Sequence, residues 1–466
     1  MSSRFDLLRA KHPVFHYHGY RLKQGDGCLV VTFDFSIEGL CEFHPETRIF
    51  TENLVLRNAW DTPQAEDLVF SLGLVELISY WKCVCPPEIR IHCGSLNDEE
   101  ADWWRRLWFC GLGEFFYRNQ IKTTFSDFAQ VTCDAAPGMV ACDFASFQSG
   151  GFSLVPVGGG KDSCVTLQLM KEQNRPLMGF TVNDQRARSE CFAAAGFLAE
   201  NMLRTQRRID PALLARNGEG YWNGHTPFSA VVAFLGLFCA YLTGAEELVL
   251  SNEASAEEAS IPGTQVNHQY SKSYAFEQDM NAYIRRRFCL PIHYFSLLRP
   301  FHELQIARRF AALPQFHAAF KSCNAGSKQN VWCGHCAKCL FVYLMLSPFL
   351  PMERLTEIFG GSLLERPDLA GDLRDILGLT SAKPFECVGT VAEARAALAL
   401  LTVRSRTEGR PPPLLARTFA DCASSAAEAQ ALLGAFGEAG NIPAAYLQSI
   451  ERMREHVSAA IGSFAG

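Results

Sequence analysis

Seven consecutive residues, Val157-Gly158-Gly159-Gly160-Lys161-Asp162-Ser163, carry the densest chemical signal in the chain. An apolar run precedes them, and a helical pattern with Cys164, Leu167 and Met170 on one side follows. Three successive glycines let a backbone come close to an anion with its amide N–H groups turned toward it, and a helix start adds partial positive charge. Lys161 can supply a point charge and Ser163 a hydroxyl donor, while Asp162 can hold Mg²⁺ or order the loop. A divalent cation is needed somewhere at such a site, because polyphosphate oxygens repel any nucleophile. The stretch is not a Walker loop, which needs four residues between its first glycine and Gly-Lys-Ser/Thr. The plain alternative is an ordinary glycine turn between strand and helix.

A second constellation is Cys323, Cys333, Cys336 and Cys339, spaced C-x9-C-x2-C-x2-C. Four thiolates so spaced suit a tetrahedral structural Zn²⁺, with Gly334 giving the turn between paired ligands and His335 a substitute ligand inside the knuckle. A redox or sulfur-carrying pair and a set of buried free thiols are the rival readings.

Other candidates are more dispersed. Ser251, Asn252 and Glu253 directly follow an apolar strand pattern. Asn252 and Ser255 are donors for a carboxylate, and Glu253 is a Mg²⁺ ligand, a peptide contact or a base. A helix cap opened by Ser251 or Asn252 explains the same residues. Asn267, His268, Tyr270, Ser271 and Lys272 form a polar run before a helix starting near 274, suited to substrate contact or to a solvated loop. Arg299 could steady phosphates or simply lie on the surface, and Arg285-Arg286-Arg287 reads as an exposed helix end. Cys387, in Lys383-Pro384-Phe385-Glu386-Cys387-Val388-Gly389-Thr390, is an acid or base for an α-proton, or a packed thiol.

The elements that must position these residues follow from periodicity. Residues 1–148 predict an α+β domain: positions 29–35 alternate as a strand after a turn at 24–27, Thr62-Pro63 opens a helix, and an aromatic-rich helix covers about 98–117. Residues 133–151 read as a linker. Residues 149–350 predict a doubly wound α/β sheet, with parallel strands near 152–157, 177–182 and 248–250 and helices over 162–173 and 189–203. Residues 351–466 predict a mostly helical region. The length, 466 residues, fits two or three domains. With a net charge of −6, the chain lacks the basic balance of a nucleic-acid binder. No secretory leader is legible at the N-terminus, and the uncharged stretch 226–245 reads as a buried helix rather than a membrane span. The expected location is therefore cytoplasmic, with the 18 cysteines as thiols apart from the metal-binding cluster.

The glycine loop resembles the Ser-Gly-Gly-x-Asp-Ser signature of the PP-loop ATP pyrophosphatases, with Gly158 in place of the first Ser. In that superfamily the loop holds the pyrophosphate leaving group while a substrate attacks the α-phosphate. The end of the second strand, here Asn183, approaches the nucleotide's sugar and base. The order of PP-loop and cysteine cluster is similar to the 7-cyano-7-deazaguanine synthases over the middle region only. A fuller set resembles the MurL family of UDP-MurNAc-L-Ala-L-Glu epimerases. It consists of the loop at 157–163, Ser251 to Ser255, Asn267 to Ser273, Ser322-Cys323-Asn324, Trp332 to Cys339 and Lys383 to Thr390. The resemblance implies ATP- and Mg²⁺-dependent inversion of the terminal L-glutamate of that precursor through an acyl adenylate, with release of AMP and pyrophosphate. Adenylation removes the carboxylate charge that would otherwise keep the neighbouring Cα–H from ionising. Two alternatives stand beside it: another carboxylate-adenylating enzyme, such as an amidoligase, and a nucleotide-binding sensor without chemistry.

Overall fold

The computed structural model describes residues 3–52, 54–136, 144–261 and 270–459. Among them, eleven strands form one mixed sheet. β1 (Val14–Gly25) and β2 (Cys28–Ile37) make a long antiparallel hairpin across Asp26-Gly27, where Gly27 takes a φ of 68°. β3 (Cys41–Phe43) and β4 (Glu46–Phe50) follow, then β5 (Glu88–Ile91), β6 (Gln130–Cys133), β7 (Ser153–Pro156), β8 (Leu177–Val182), β9 (Met202–Arg208), β10 (Glu247–Leu250) and β11 (His293–Ser296). Their order is β11-β10-β7-β8-β9-β4-β2-β1-β5-β6, with β3 beside β2.

From β11 to β9 every neighbour is parallel. The chain leaves β7 toward β8 and β9 on one side, then returns to place β10 and β11 on the other. This reversal opens a crevice beyond the carboxyl ends of β7 and β10, where ligands of open α/β sheets bind. Successive strand residues serve opposite faces: Leu154 and Leu248 enter one apolar core, Val155 and Val249 the other. Burial on both faces accounts for the continuous apolar runs of these strands.

Two expectations need correction. The helix expected over 189–203 stops early: helix Arg186–Ala194 ends before Gly196, whose φ is 89°, and a turn at Ala199–Asn201 feeds β9. Sequence reading missed β9 because its residues are polar. Arg207 is buried there only because its guanidinium pairs with Glu76 (2.7 and 2.8 Å) and Ser79 from helix Pro63–Trp81. Nor is Arg285-Arg286-Arg287 simply an exposed end. Arg287 is largely buried between Asp67 and Glu100, while Arg286 stays exposed against Glu99. β4 pairs antiparallel with β9, so strands of the first 148 residues and of the following region share one sheet.

Thr62 caps helix Pro63–Trp81, which is buried almost throughout and packs on helix Phe228–Thr243. That second helix, the uncharged stretch, is ended by Gly244 in the left-handed region (φ 78°) and lies against β7 and β10. Among the described residues no helix is long and apolar enough to cross a membrane. Helices predominate after residue 351, and Val391–Thr407 packs on Glu303–Ala311 and Ala337–Leu346 in the second core. Tyr446, just before the last helix, donates its hydroxyl to Glu247 at the start of β10.

Candidate active site

The glycine loop follows β7 directly and leads into helix Lys161–Glu172. Gly159 has a φ of 79°, and a Cβ there would press on Ala187 and Arg188 at 3.2 Å, so the conformation and the packing both call for glycine. Gly158 has open space where a side chain would project. Ser163 braces the loop, accepting from the Gly159 N–H (3.1 Å) and donating to the Gly160 carbonyl (2.9 Å). Gly160 caps the helix with no side-chain bond, leaving the helix start for a ligand.

Gly158, Gly160, Asp162 and Ser163 line a cleft of about 1500 Å³, open space at its mouth included. Ser251 and Asn252 enter it from the end of β10, Lys272 and Cys387 from across, and Cys323 from the cysteine cluster. The Ser251 hydroxyl oxygen is buried without a hydrogen-bond partner among the described residues, an orphan whose cost a bound ligand would relieve. An exposed glycine backbone, an uncapped helix start and an orphaned hydroxyl together fit a polyphosphate. The Asp162 carboxylate, which lines the cleft, fits a divalent cation.

Lys161 is not among the lining residues. Its ammonium is buried, 2.5 Å from Asp162 and paired with Glu303, a buried carboxylate that sequence reading missed. Burial pushes the Glu303 carboxyl up to about 8 against the pull of Lys161, and Asp162 and Glu253 add repulsion. Asp162 keeps the opposite character: burial works against its charge, yet Lys161 and then Lys338 hold it below its ordinary range.

Glu253, Lys272 and Cys387 also line a smaller polar cavity of about 360 Å³ beside the cleft. The Lys272 ammonium donates to the Cys387 thiol at 3.2 Å. Burial opposes the charge on Lys272, but Cys387 and Glu253 outweigh it and hold the ammonium above its ordinary range. Burial pushes the Glu253 carboxyl up; Lys272 pulls against this and Asp162 adds to it. Glu253 precedes the short turn Ala254–Glu257 without a side-chain cap, so the carboxylate is not engaged as a helix cap. Arg299 is buried and fixes this corner: paired with Glu277 at 3.0 Å, it donates to the carbonyls of Lys272 (2.9 Å) and Glu253 (3.3 Å).

Three further candidates lie elsewhere. Ser255 lines the small cavity, but its hydroxyl donates to the buried Glu393 (2.9 Å) and accepts from the Glu303 N–H (3.2 Å), which ties it to the frame. Asn183 ends β8 outside the cleft lining, and its side-chain oxygen accepts from the Arg207 N–H (2.8 Å). Its neighbour in space, Arg188, lines the cleft instead and donates to the Asn183 carbonyl at 2.8 Å. Tyr270 packs edge-on to Phe276 at 6.1 Å and is not part of the lining. Asn267 and His268 lie outside the described residues.

The loop carrying Cys387 belongs to the C-terminal region and is anchored at both ends. Lys383 is buried and pairs with Glu258 (2.6 Å), and Thr390 caps helix Val391–Thr407 in a reciprocal box with Glu393. Between the anchors, Phe385 packs at a tilt against Tyr117 of the N-terminal region, ring centres 5.3 Å apart.

The sulfurs of Cys323, Cys333, Cys336 and Cys339 all lie within 4.8 Å of one another, with closest separations of 3.5, 3.7 and 4.0 Å. A tetrahedral Zn²⁺ with sulfur at its usual distance separates its ligand atoms by about 3.8 Å, so the cluster fits that ion. Backbone N–H groups of Gly326 (3.1 Å) and His335 (3.5 Å) point at two of the sulfurs, as thiolates require. His335 turns its ring to the Cys333 carbonyl (2.9 Å), leaving the four sulfurs as the ligand set. Single Cys→Ser variants should lose stoichiometric zinc and melt roughly 10 °C lower, because ligand binding is coupled to folding. Elemental analysis and thermal denaturation check this; an unchanged melting temperature in metal-free protein would remove the structural role.

The model of the MurL N-terminal domain matches residues 7–297, and that of the MurL C-terminal domain matches residues 318–432. A protein of Xanthomonas oryzae pv. oryzae named UDP-N-acetyl-alpha-D-muramoyl-L-alanyl-L-glutamate epimerase is 37% identical over 372 residues, covering 78% of this chain and 80% of its own length. A protein of the same name from Salinispora tropica is 33% identical over 418 residues, covering 87% and 88%. With both domains matched and such identities over most of its length, the chain belongs to the MurL family.

Proposed function

We propose that the chain inverts the terminal L-glutamate of UDP-MurNAc-L-Ala-L-Glu to D-glutamate in peptidoglycan precursor synthesis. The observation that carries the reading is convergence: Lys272 and Cys387 line the cleft that holds the glycine loop after β7, and they also line the adjoining cavity that Glu253 borders. ATP, when bound there with Mg²⁺, would adenylate the glutamate α-carboxylate with pyrophosphate as the leaving group, and water would afterwards cleave the mixed anhydride, releasing AMP and the free carboxylate. Gly158, Gly160, Ser163 and the helix start receive the phosphates in a PP-loop manner, and Asp162 supplies oxygens for Mg²⁺. Ser251 and Asn252 orient the carboxylate from the end of β10.

Once the carboxylate charge is masked, the α-proton comes within reach of an ordinary base. Cys387 and Glu253 are the proton-handling candidates, with Lys272 placed to stabilise a thiolate and the developing enolate oxygen. A thiol and a carboxyl bordering one cavity provide a group for each face of the carbon.

The direct test is incubation with ATP, Mg²⁺ and UDP-MurNAc-L-Ala-L-Glu. The nucleotide products are separated by chromatography, and the hydrolysed glutamate is analysed on a chiral column. D-Glutamate with AMP and pyrophosphate is expected. ADP as the main nucleotide product, or glutamate that stays L, overturns the reading.

A further inference from the structure

Lys338 lies between two of the clustered cysteines and begins helix Ala337–Leu346 as its second residue. It is only 6% exposed. The other buried lysines are matched: Lys161 by Asp162 and Glu303, Lys383 by Glu258, Lys82 by the Gly224 and His225 carbonyls and the Thr226 hydroxyl. Among the described residues Lys338 makes no ion pair. Its ammonium donates to the backbone carbonyl of Cys387 and lies 5.5 Å from the centre of the Phe341 ring. An ammonium carries three donors, and one carbonyl and one ring leave that capacity unfilled in a buried position; the Asp162 charge is close enough to be felt but makes no ion pair with it. Lys338 lines the cleft together with Asp162, Lys272 and Cys387.

We propose that Lys338 binds the side-chain carboxylate of the substrate's terminal glutamate and thereby sets the preference for glutamate over an uncharged residue. The proposal rests on the epimerase reading of the cleft. Three observations favour this anion over a phosphate. The glycine loop and helix start already provide for phosphates at the β7 end. Lys272, the nearby ammonium, is engaged with the Cys387 thiol. Lys338 holds the main-chain carbonyl of the same Cys387 whose thiol Lys272 engages. In an extended glutamate, α-carbon and side-chain carboxyl carbon are only about 4 Å apart. A thiol acting at the α-carbon therefore leaves the side-chain carboxylate within reach of Lys338. After activation of the α-carboxylate, the side-chain carboxylate is the negative charge left beside the reacting carbon. A fixed cation on it also eases removal of the α-proton.

The experiment compares UDP-MurNAc-L-Ala-L-Glu with its side-chain amide, UDP-MurNAc-L-Ala-L-Gln, by substrate-dependent AMP release from the wild type, Lys338→Met and Lys338→Gln. The wild type should prefer the glutamate compound by on the order of 10²-fold in kcat/KM, as a site built for a charged group rejects its neutral isostere. Both variants should lose most of that preference through a raised KM for the glutamate compound, while the glutamine compound changes only a few-fold. Zinc content should stay at the wild-type level, since Lys338 supplies no sulfur. A variant that keeps the full preference overturns the proposal, as does equal loss on both compounds, which would place Lys338 on a shared part such as the phosphates. If both variants misfold, the wild-type comparison decides: no discrimination between the compounds overturns it. No AMP release from the wild type with either compound defeats the epimerase reading itself, and this proposal with it.

Discussion

Asp162→Asn should lower ATP-dependent turnover by on the order of 10³-fold while leaving the protein folded. The carboxylate faces the cleft and is held ionised by Lys161 and Lys338. The amide keeps its size but supplies neither the charge nor the oxygen pair that a divalent cation needs. Stability should survive because Lys161 keeps its second partner, Glu303. Lys161→Met is the informative contrast. It leaves the buried Glu303 carboxyl without its partner and should cost about 1–3 kcal/mol of stability in addition to activity, whereas Lys161→Met combined with Glu303→Gln should recover stability without activity. Steady-state AMP release and urea denaturation separate the two effects. Wild-type turnover in Asp162→Asn would remove Asp162 from the reaction.

Cys387→Ala should stop inversion, with a loss on the order of 10³-fold, while adenylation or exchange of the glutamate α-hydrogen persists. In D₂O the wild-type D-glutamate product should carry deuterium at its α-carbon, because a thiol or carboxyl proton equilibrates with solvent. Retention of the original hydrogen contradicts deprotonation. Glu253→Gln should behave likewise if the carboxyl serves the other face. Inversion at the wild-type rate in both variants would return Cys387 to a packing role and Glu253 to metal or substrate contact.

The positions of these residues were legible in the sequence to different degrees, for physical reasons. The glycine loop could be read because its chemistry is local: three glycines, a strand before and a helix after are all visible within twenty residues. The cysteine cluster was legible through spacing alone, and the strands at β7, β8 and β10 through their apolar runs. Glu303 and Lys338 carried no local mark. Each acquires meaning only by burial beside a residue more than forty positions away in sequence, Lys161 or Cys387. Arg299 was weighed as a phosphate contact or a surface residue, and Glu277 makes it a buried brace instead. β9 was missed for the same reason, since the apolar pattern that marks a strand is replaced there by an ion pair with Glu76.

The pairing of β4 with β9 has a further consequence, for how such a protein can be taken apart. The parallel strands β7 to β11 cannot be excised as a cassette and fused elsewhere. Cutting near 148 would strip β9 of its antiparallel neighbour and leave a bare row of N–H and C=O groups as a template for self-association. Any lineage that exchanged the N-terminal region would have to supply a replacement strand in the same register, with a carboxylate placed to receive Arg207. The two regions are therefore constrained to be inherited together, as one unit of selection, even where only one of them touches the reacting groups.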